Sequence, residues 1–211
     1  MQYTLAGIRQ RVLVDKLDDD EFDPDIVDNF INDTQRDIFN EAKLPFMERI
    51  FSGTIPSGST MFKMPEDISQ IQSQTIGGVP GFAGKYLPFR SFFTLYTDIE
   101  NKPAGPISAW TLYAGNMVVS APTDKEYVMN MFYIRKPKKL TLDGDIPDVP
   151  EEFSELLILG AFKRILERNE DYDLASAVAS EYFRIFNLMV ERYGERQTSS
   201  PIVMGRMNRG L

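Results

Sequence analysis

The side chains able to do chemistry are almost all carboxylates. The 211-residue chain carries 31 Asp and Glu against 23 Lys and Arg, a net charge of −8, with no His and no Cys. Disulfides, thiolate or imidazole zinc sites and His-based acid–base or nucleophilic catalysis are therefore excluded. The densest acids run from Asp15 to Asp25, with Asp18, Asp19 and Asp20 at the centre. A calcium loop counted from Asp18 needs Gly at its sixth position, and the chain has Asp23 there, so the stretch reads as a solvated linker. A carboxylate glycosidase would need two acids facing one cleft, and no spacing in the sequence marks such a pair.

Two further stretches approach a binding motif and fall short. Gly84-Lys85 ends a Gly-rich loop, but Tyr86 replaces the Ser or Thr that a phosphate loop requires, and Val79 stands where its first Gly belongs. The loop reads as a surface loop. Arg135, Lys136, Lys138 and Lys139 could touch phosphates, but no aromatic residues interleave them and no groove-reading motif is present. A solvated strand exit is the simpler reading, and the net charge of −8 argues against broad nucleic-acid wrapping. No metal, cofactor or catalytic residue is assigned.

The elements that carry these residues follow from periodicity and caps. Thr4 is placed to cap a helix over 5–14, with Leu5, Ile8, Val12 and Leu13 on one face. Asp23 and Pro24 open a second helix over 24–43, whose broad apolar face includes Ile26, Val27, Phe30, Ile31, Thr34, Ile38 and Phe39. From 46 to 134 the period shortens to that of strands, with Ile68, Ile71 and Ile76 as buried candidates. Pro88 is expected to start a helix reaching Glu100, on which Phe89, Phe92, Phe93 and Tyr96 either close the β core or form an aromatic docking face. Gly115-Asn116 is expected to turn a hairpin between Trp110-Leu112 and Met117-Val119. Val128, Met129, Met131, Phe132 and Ile134 are too continuous for simple alternation, which suggests a strand covered on both faces.

Pro150 opens the longest helical region, 151–168 and 171–193, split by Asn169-Glu170-Asp171 into a hairpin or a kinked rod. Gly160 and Ala161 allow another helix close approach, Leu174, Val178, Tyr182, Ile185, Phe186 and Met189 are expected in the core, and Gly194 is expected to end the helix. The fold class is α+β. Helices at 1–45 and 150–194 form a bundle, 46–149 is a β-rich insertion and 195–211 an extended tail. No apolar run approaches the roughly 20 residues of a membrane span, and Arg9 interrupts any leader-like start, so a soluble, non-exported protein with no membrane partner is expected.

Several features occur in a particular order. Ile31-Asn32 lies in the Asp/Pro-started second helix, and Met64-Pro65-Glu66-Asp67 follows a strand. Met131-Phe132-Tyr133 then leads through Lys136-Pro137 and Leu140 to Asp143, Asp145, Pro147 and Pro150 before the long helix. Over about residues 4–193 this order resembles the head-to-tail adaptor (connector) proteins of tailed bacteriophages, especially the short-tailed ones. The resemblance implies a structural virion protein without enzymatic activity, assembled in the host cytoplasm into a ring, typically of about twelve copies, at the portal vertex. Such a ring joins the capsid portal to a tail or nozzle protein and extends the DNA channel, through which the genome passes without sequence-specific contact.

The tail after Gly194 lies outside the resemblance. It is either a disordered terminus or a segment that orders on a partner. The resemblance makes Pro201, Ile202, Val203, Met204, Arg206 and Arg209 the candidate portal-binding residues. A tail-completion or tail-tube subunit is the alternative. It would put the β insertion at the subunit interface and leave that terminus idle.

Overall fold

The computed structural model describes residues 3–19, 22–76, 79–80 and 84–198, without the side chains of 79–80 and 195–198. The chain is α+β, with helices at both ends and strands in the middle, and divides into two compact units: 1–46 with 139–211, and 47–138.

In the first unit, α1 (Leu5–Gln10) starts where the sequence places it. Thr4 Oγ1 accepts from the Gly7 amide at 3.3 Å. The helix does not stop at residue 14 but widens into a π-helical stretch, Arg11–Leu17, and ends at Asp18 in the left-handed region (φ 51°). Asp23 caps α2 (Pro24–Glu41), its Oδ1 accepting from the Asp25 amide at 3.0 Å. After a 3-10 turn at Glu151–Phe153 comes α4 (Ser154–Arg168), buried without interruption from Leu156 to Phe162 because α1, α2 and α5 (Tyr172–Thr198) all pack on it. Gly160 makes the α2 contact possible. A Cβ added there would lie 2.2 Å from Thr34 Cγ2. Glu170, at φ 62°, reverses the chain, so α4 and α5 form a hairpin rather than a rod, and Tyr193 near the far end of α5 donates to Glu152 at 2.8 Å.

Two expectations about α5 fail. Leu174 is 44% exposed, because the buried stripe runs through Ala175, Tyr182, Phe186 and Met189, one position round the helix. Gly194 lies inside α5, which continues to Thr198. Gly ends a helix when it takes a left-handed conformation, and Gly194 does not.

The second unit is a sandwich of two four-stranded sheets, ordered β1-β8-β3-β4 and β2-β7-β6-β5. The first contains β1 (Glu48–Ile55), β3 (Ile68–Ile76), β4 (Val79–Pro80) and β8 (Tyr127–Arg135). The second contains β2 (Met61–Lys63), β5 (Lys85–Tyr86), β6 (Ala109–Tyr113) and β7 (Asn116–Val119). Between them pack Ile55, Ile76, Met129 and Met131 from the first sheet and Trp110, Met117 and Val119 from the second. The outer face of the second sheet is closed by α3 (Phe89–Leu95), whose Phe92 packs with Ala109, Val118 and Ile99. α3 ends at Leu95, five residues earlier than expected, because Tyr96 leaves the helical region (ψ 75°). Of the expected β3 core, Ile76 is buried, while Ile68 and Ile71 pack only partly against it.

The hairpin turn is shifted by one residue from the expected Gly115-Asn116. Tyr113 pairs with Asn116, so Ala114 (φ 47°) and Gly115 (φ 77°) form the corner. A two-residue turn of this hand needs positive φ at both positions, which Ala tolerates poorly. Replacing Ala114 by Gly or Asn should therefore stabilise the protein by about 0.5–1 kcal/mol, read from the urea midpoint. β8 also departs from expectation. It alternates over 127–133, with Val128 and Phe132 about half exposed and Met129, Met131 and Tyr133 buried against the other sheet, and only at its end, where Ile134 is 3% exposed, are both faces buried.

Tyr127, 4% exposed, donates to Asp124 Oδ1 at 2.6 Å. Burial first, then that hydrogen bond, pushes its hydroxyl up to about 12. A raised folded-state pKa favours the protonated phenol. This stabilisation is complete below the unfolded value of about 10 and declines as pH rises from there toward 12. Tyr127→Phe should flatten the fall in thermal midpoint between about pH 10 and 12.

Candidate functional site

The segment 139–150 that enters the helical unit has no regular structure, yet hydrogen bonds hold it at several points along its length. Asp145 turns back on its own segment, its Oδ2 accepting from the amides of Thr141 at 2.7 Å and Leu142 at 3.0 Å. The backbone carbonyls of Asp145 and Asp143 accept from Leu5 N (2.8 Å) and Ala6 N (3.2 Å). The segment thus satisfies amides that the start of α1 leaves without helical partners. Asn32 on α2 grips Leu140 from both sides, accepting its N–H at 2.8 Å and donating to its carbonyl at 3.0 Å. Gln35, 1% exposed, accepts from Asp148 N at 2.7 Å, and the Tyr3 hydroxyl donates to the Val149 carbonyl. Burial raises the Tyr3 pKa, helped by the nearby charges of Glu151 and Asp148.

Arg9 completes the arrangement. It makes a two-pronged contact to Asp28 (2.7 Å at each prong) and reaches Asp143 at 2.9 Å. Hydrogen bonding to Asp28 holds its pKa above the usual guanidinium value. Against this fixed backbone, Leu142 and Ile146 are 69% and 63% exposed. Asp143 and Asp145, both among the ordered features of the sequence that carry the resemblance, are the residues that shape it. Asp145 is thus engaged by backbone amides and Asp143 by Arg9, and Leu142 and Ile146 project from the segment on either side of them.

The other flagged residues take structural places. Among the described residues no group of three or more Asp or Glu is placed to hold a metal ion. Asp18 ends the π-helical stretch, and Asp20 lies outside the described residues. Gly84 permits β5 to approach β6: an added Cβ would lie 2.6 Å from the Ser108 carbonyl carbon. The Lys85 amide then donates to Ser108 O at 2.9 Å, so it serves strand pairing. Lys136 sits at the strand exit, its amide on the Asp67 carbonyl at 2.5 Å, while Lys138 and Lys139 are exposed. Pro201, Ile202, Val203, Met204, Arg206 and Arg209 lie outside the described residues.

Sequence reasoning did not single out Leu142 or Ile146. The available signal was two aliphatic residues in a turn-rich stretch where nothing local would bury them.

A search of curated proteins finds no match to this chain. A family model described as SU10 adaptor protein matches residues 3–205, across both units and into the C-terminal segment. The chain belongs to the SU10 adaptor protein family, whose members are adaptors of the phage head–tail junction.

Proposed function

We propose that this protein is the ring subunit that joins the capsid portal to the tail, with about twelve copies surrounding and extending the DNA channel. The family match carries the reading. It covers 3–205, so it includes Pro201, Ile202, Val203 and Met204 of the C-terminal segment as well as both folded units. That segment sets apolar residues beside Arg206 and Arg209, on a chain of net charge −8, and is the portal-docking element in this reading. The net negative charge suits a lumen along which a duplex must slide rather than stick. The adaptor family is structural, and the protein acts here by contact.

Co-sedimentation with the portal of the same virus tests this. The full chain should pellet with portal, and a chain ending at residue 198 should lose most of that binding. Equal binding by both would remove the C-terminal segment from the interface. Failure of the full chain to bind would remove the portal.

A further inference from the structure

The sandwich unit is covered unequally. Its layers run α3, second sheet, first sheet. The outer face of the second sheet is closed by α3, whereas the outer face of the first sheet has exposed centre positions. Ile50 is 69% exposed, Phe132 48% and Val128 46%, and Ile50 and Phe132 are direct cross-strand partners. Around them on the same face lie Ser52, Thr54, Ser73, Thr75 and Asn130. None of these eight positions carries a charge, in a chain where 26% of residues do. Solvent-facing strands ordinarily carry Lys and Glu, which also block edge pairing. Here the uncovered face is apolar and hydroxyl-bearing, and β1 is an edge strand.

On the opposite side of the sandwich a second patch stands out. Phe89 of α3 and Tyr113 of β6, 42% and 50% exposed, stack at 4.8 Å with their planes 20° apart, and Phe93 supports both rings. Two unlike apolar patches on opposite sides of one rigid unit cannot satisfy each other within a chain. Between copies they can, and repeated head-to-tail contact of this kind closes a ring or grows a filament, whereas a self-complementary patch gives a dimer.

We propose that the outer face of the first sheet, centred on Ile50, Val128 and Phe132, receives the Phe89–Tyr113 stack of a second copy of this chain. The charges favour a copy over an unrelated partner. Copies of net charge −8 repel, so their contact belongs where a face is uncharged. At the rims, exposed Glu48 borders the first face and exposed Arg90 follows Phe89 on the second, so head-to-tail contact brings opposite signs together. The inference rests on the adaptor reading for its ring, but the contact itself does not require the portal.

The absence of native cysteine makes the test clean. Full-length chains carrying Phe132→Cys with Phe89→Cys, or Phe132→Cys with Tyr113→Cys, would be treated with a short bismaleimide both free at high concentration and bound to portal. The expected result is a ladder of dimer, trimer and larger products from a paired variant in at least one state, with each single variant remaining monomeric. Adding Ile50→Asp should reduce the ladder at least tenfold. Dimers from Phe132→Cys alone would show a self-complementary face and overturn the proposal, as would the lack of any ladder although both thiols label. Portal binding without a ladder would sink this contact and leave the adaptor reading standing. A ladder without portal binding would do the reverse.

Discussion

Replacing Gly160 by alanine should destabilise the helical unit by about 3 kcal/mol, although the same change in an open helix would stabilise it by about 1 kcal/mol. The sign depends on Thr34. A Cβ at 160 would meet Thr34 Cγ2 at 2.2 Å, Oγ1 at 2.7 Å and Cβ at 3.0 Å. Thr34 cannot swing aside easily. It is β-branched, 2% exposed, and its hydroxyl donates to the Phe30 carbonyl at 2.8 Å. The helices would have to separate, pulling α2 away from the most buried part of α4. Urea unfolding followed by far-UV circular dichroism reads the loss. Thr34→Ala combined with Gly160→Ala should recover at least about 1 kcal/mol relative to independent effects, since the clash is one interaction shared by two residues. A single Gly160→Ala as stable as the parent would mean that α2 and α4 are less tightly apposed than described.

Asn32→Leu should cost about 2–4 kcal/mol, because it leaves the N–H and carbonyl of Leu140 without partners where Leu140 is 2% exposed. Asn32→Asp is the sharper variant. It keeps an acceptor for the Leu140 amide but places a carboxylate oxygen against two carbonyls, those of Leu140 and Asp28, to which the native amide group donates. Both variants should release 139–149 from α2, and hydrogen exchange at the Leu140 amide should accelerate by more than tenfold. Unchanged protection at Leu140 with lowered global stability would place the role of Asn32 within α2 alone. Under the adaptor reading the variants should also weaken assembly, since Leu142 and Ile146 would lose their fixed positions.

Much of this unit is local and so was readable. Thr4 and Asp23 cap their helices because a short side-chain acceptor next to an apolar period has few other uses. Gly160 beside Ala161 marked close helix packing because an interior helical glycine is costly unless something occupies the space. The errors came where two local readings differ by one residue or by the identity of a neighbour. Asn is the usual positive-φ residue, yet the hairpin places Ala114 there because the Tyr113–Asn116 register is set by Trp110, Met117 and Val119 packing across the sandwich. The run 128–134 looked doubly buried because a strand whose outer face carries Val128 and Phe132 has the same composition as one covered on both faces.

By itself, the sequence determined the α+β class, the helical ends around a β middle, the absence of thiol and imidazole chemistry and the adaptor resemblance. These depend on period, caps and composition, which neighbouring residues set. The tertiary structure alone decided which apolar residues remain in water. Leu142, Ile146, Ile50 and Phe132 are no less hydrophobic than their buried neighbours. Their exposure follows from a segment held by Asn32, Gln35 and Arg9 and from a sheet with one covering layer, and both arise from contacts between residues far apart in the chain.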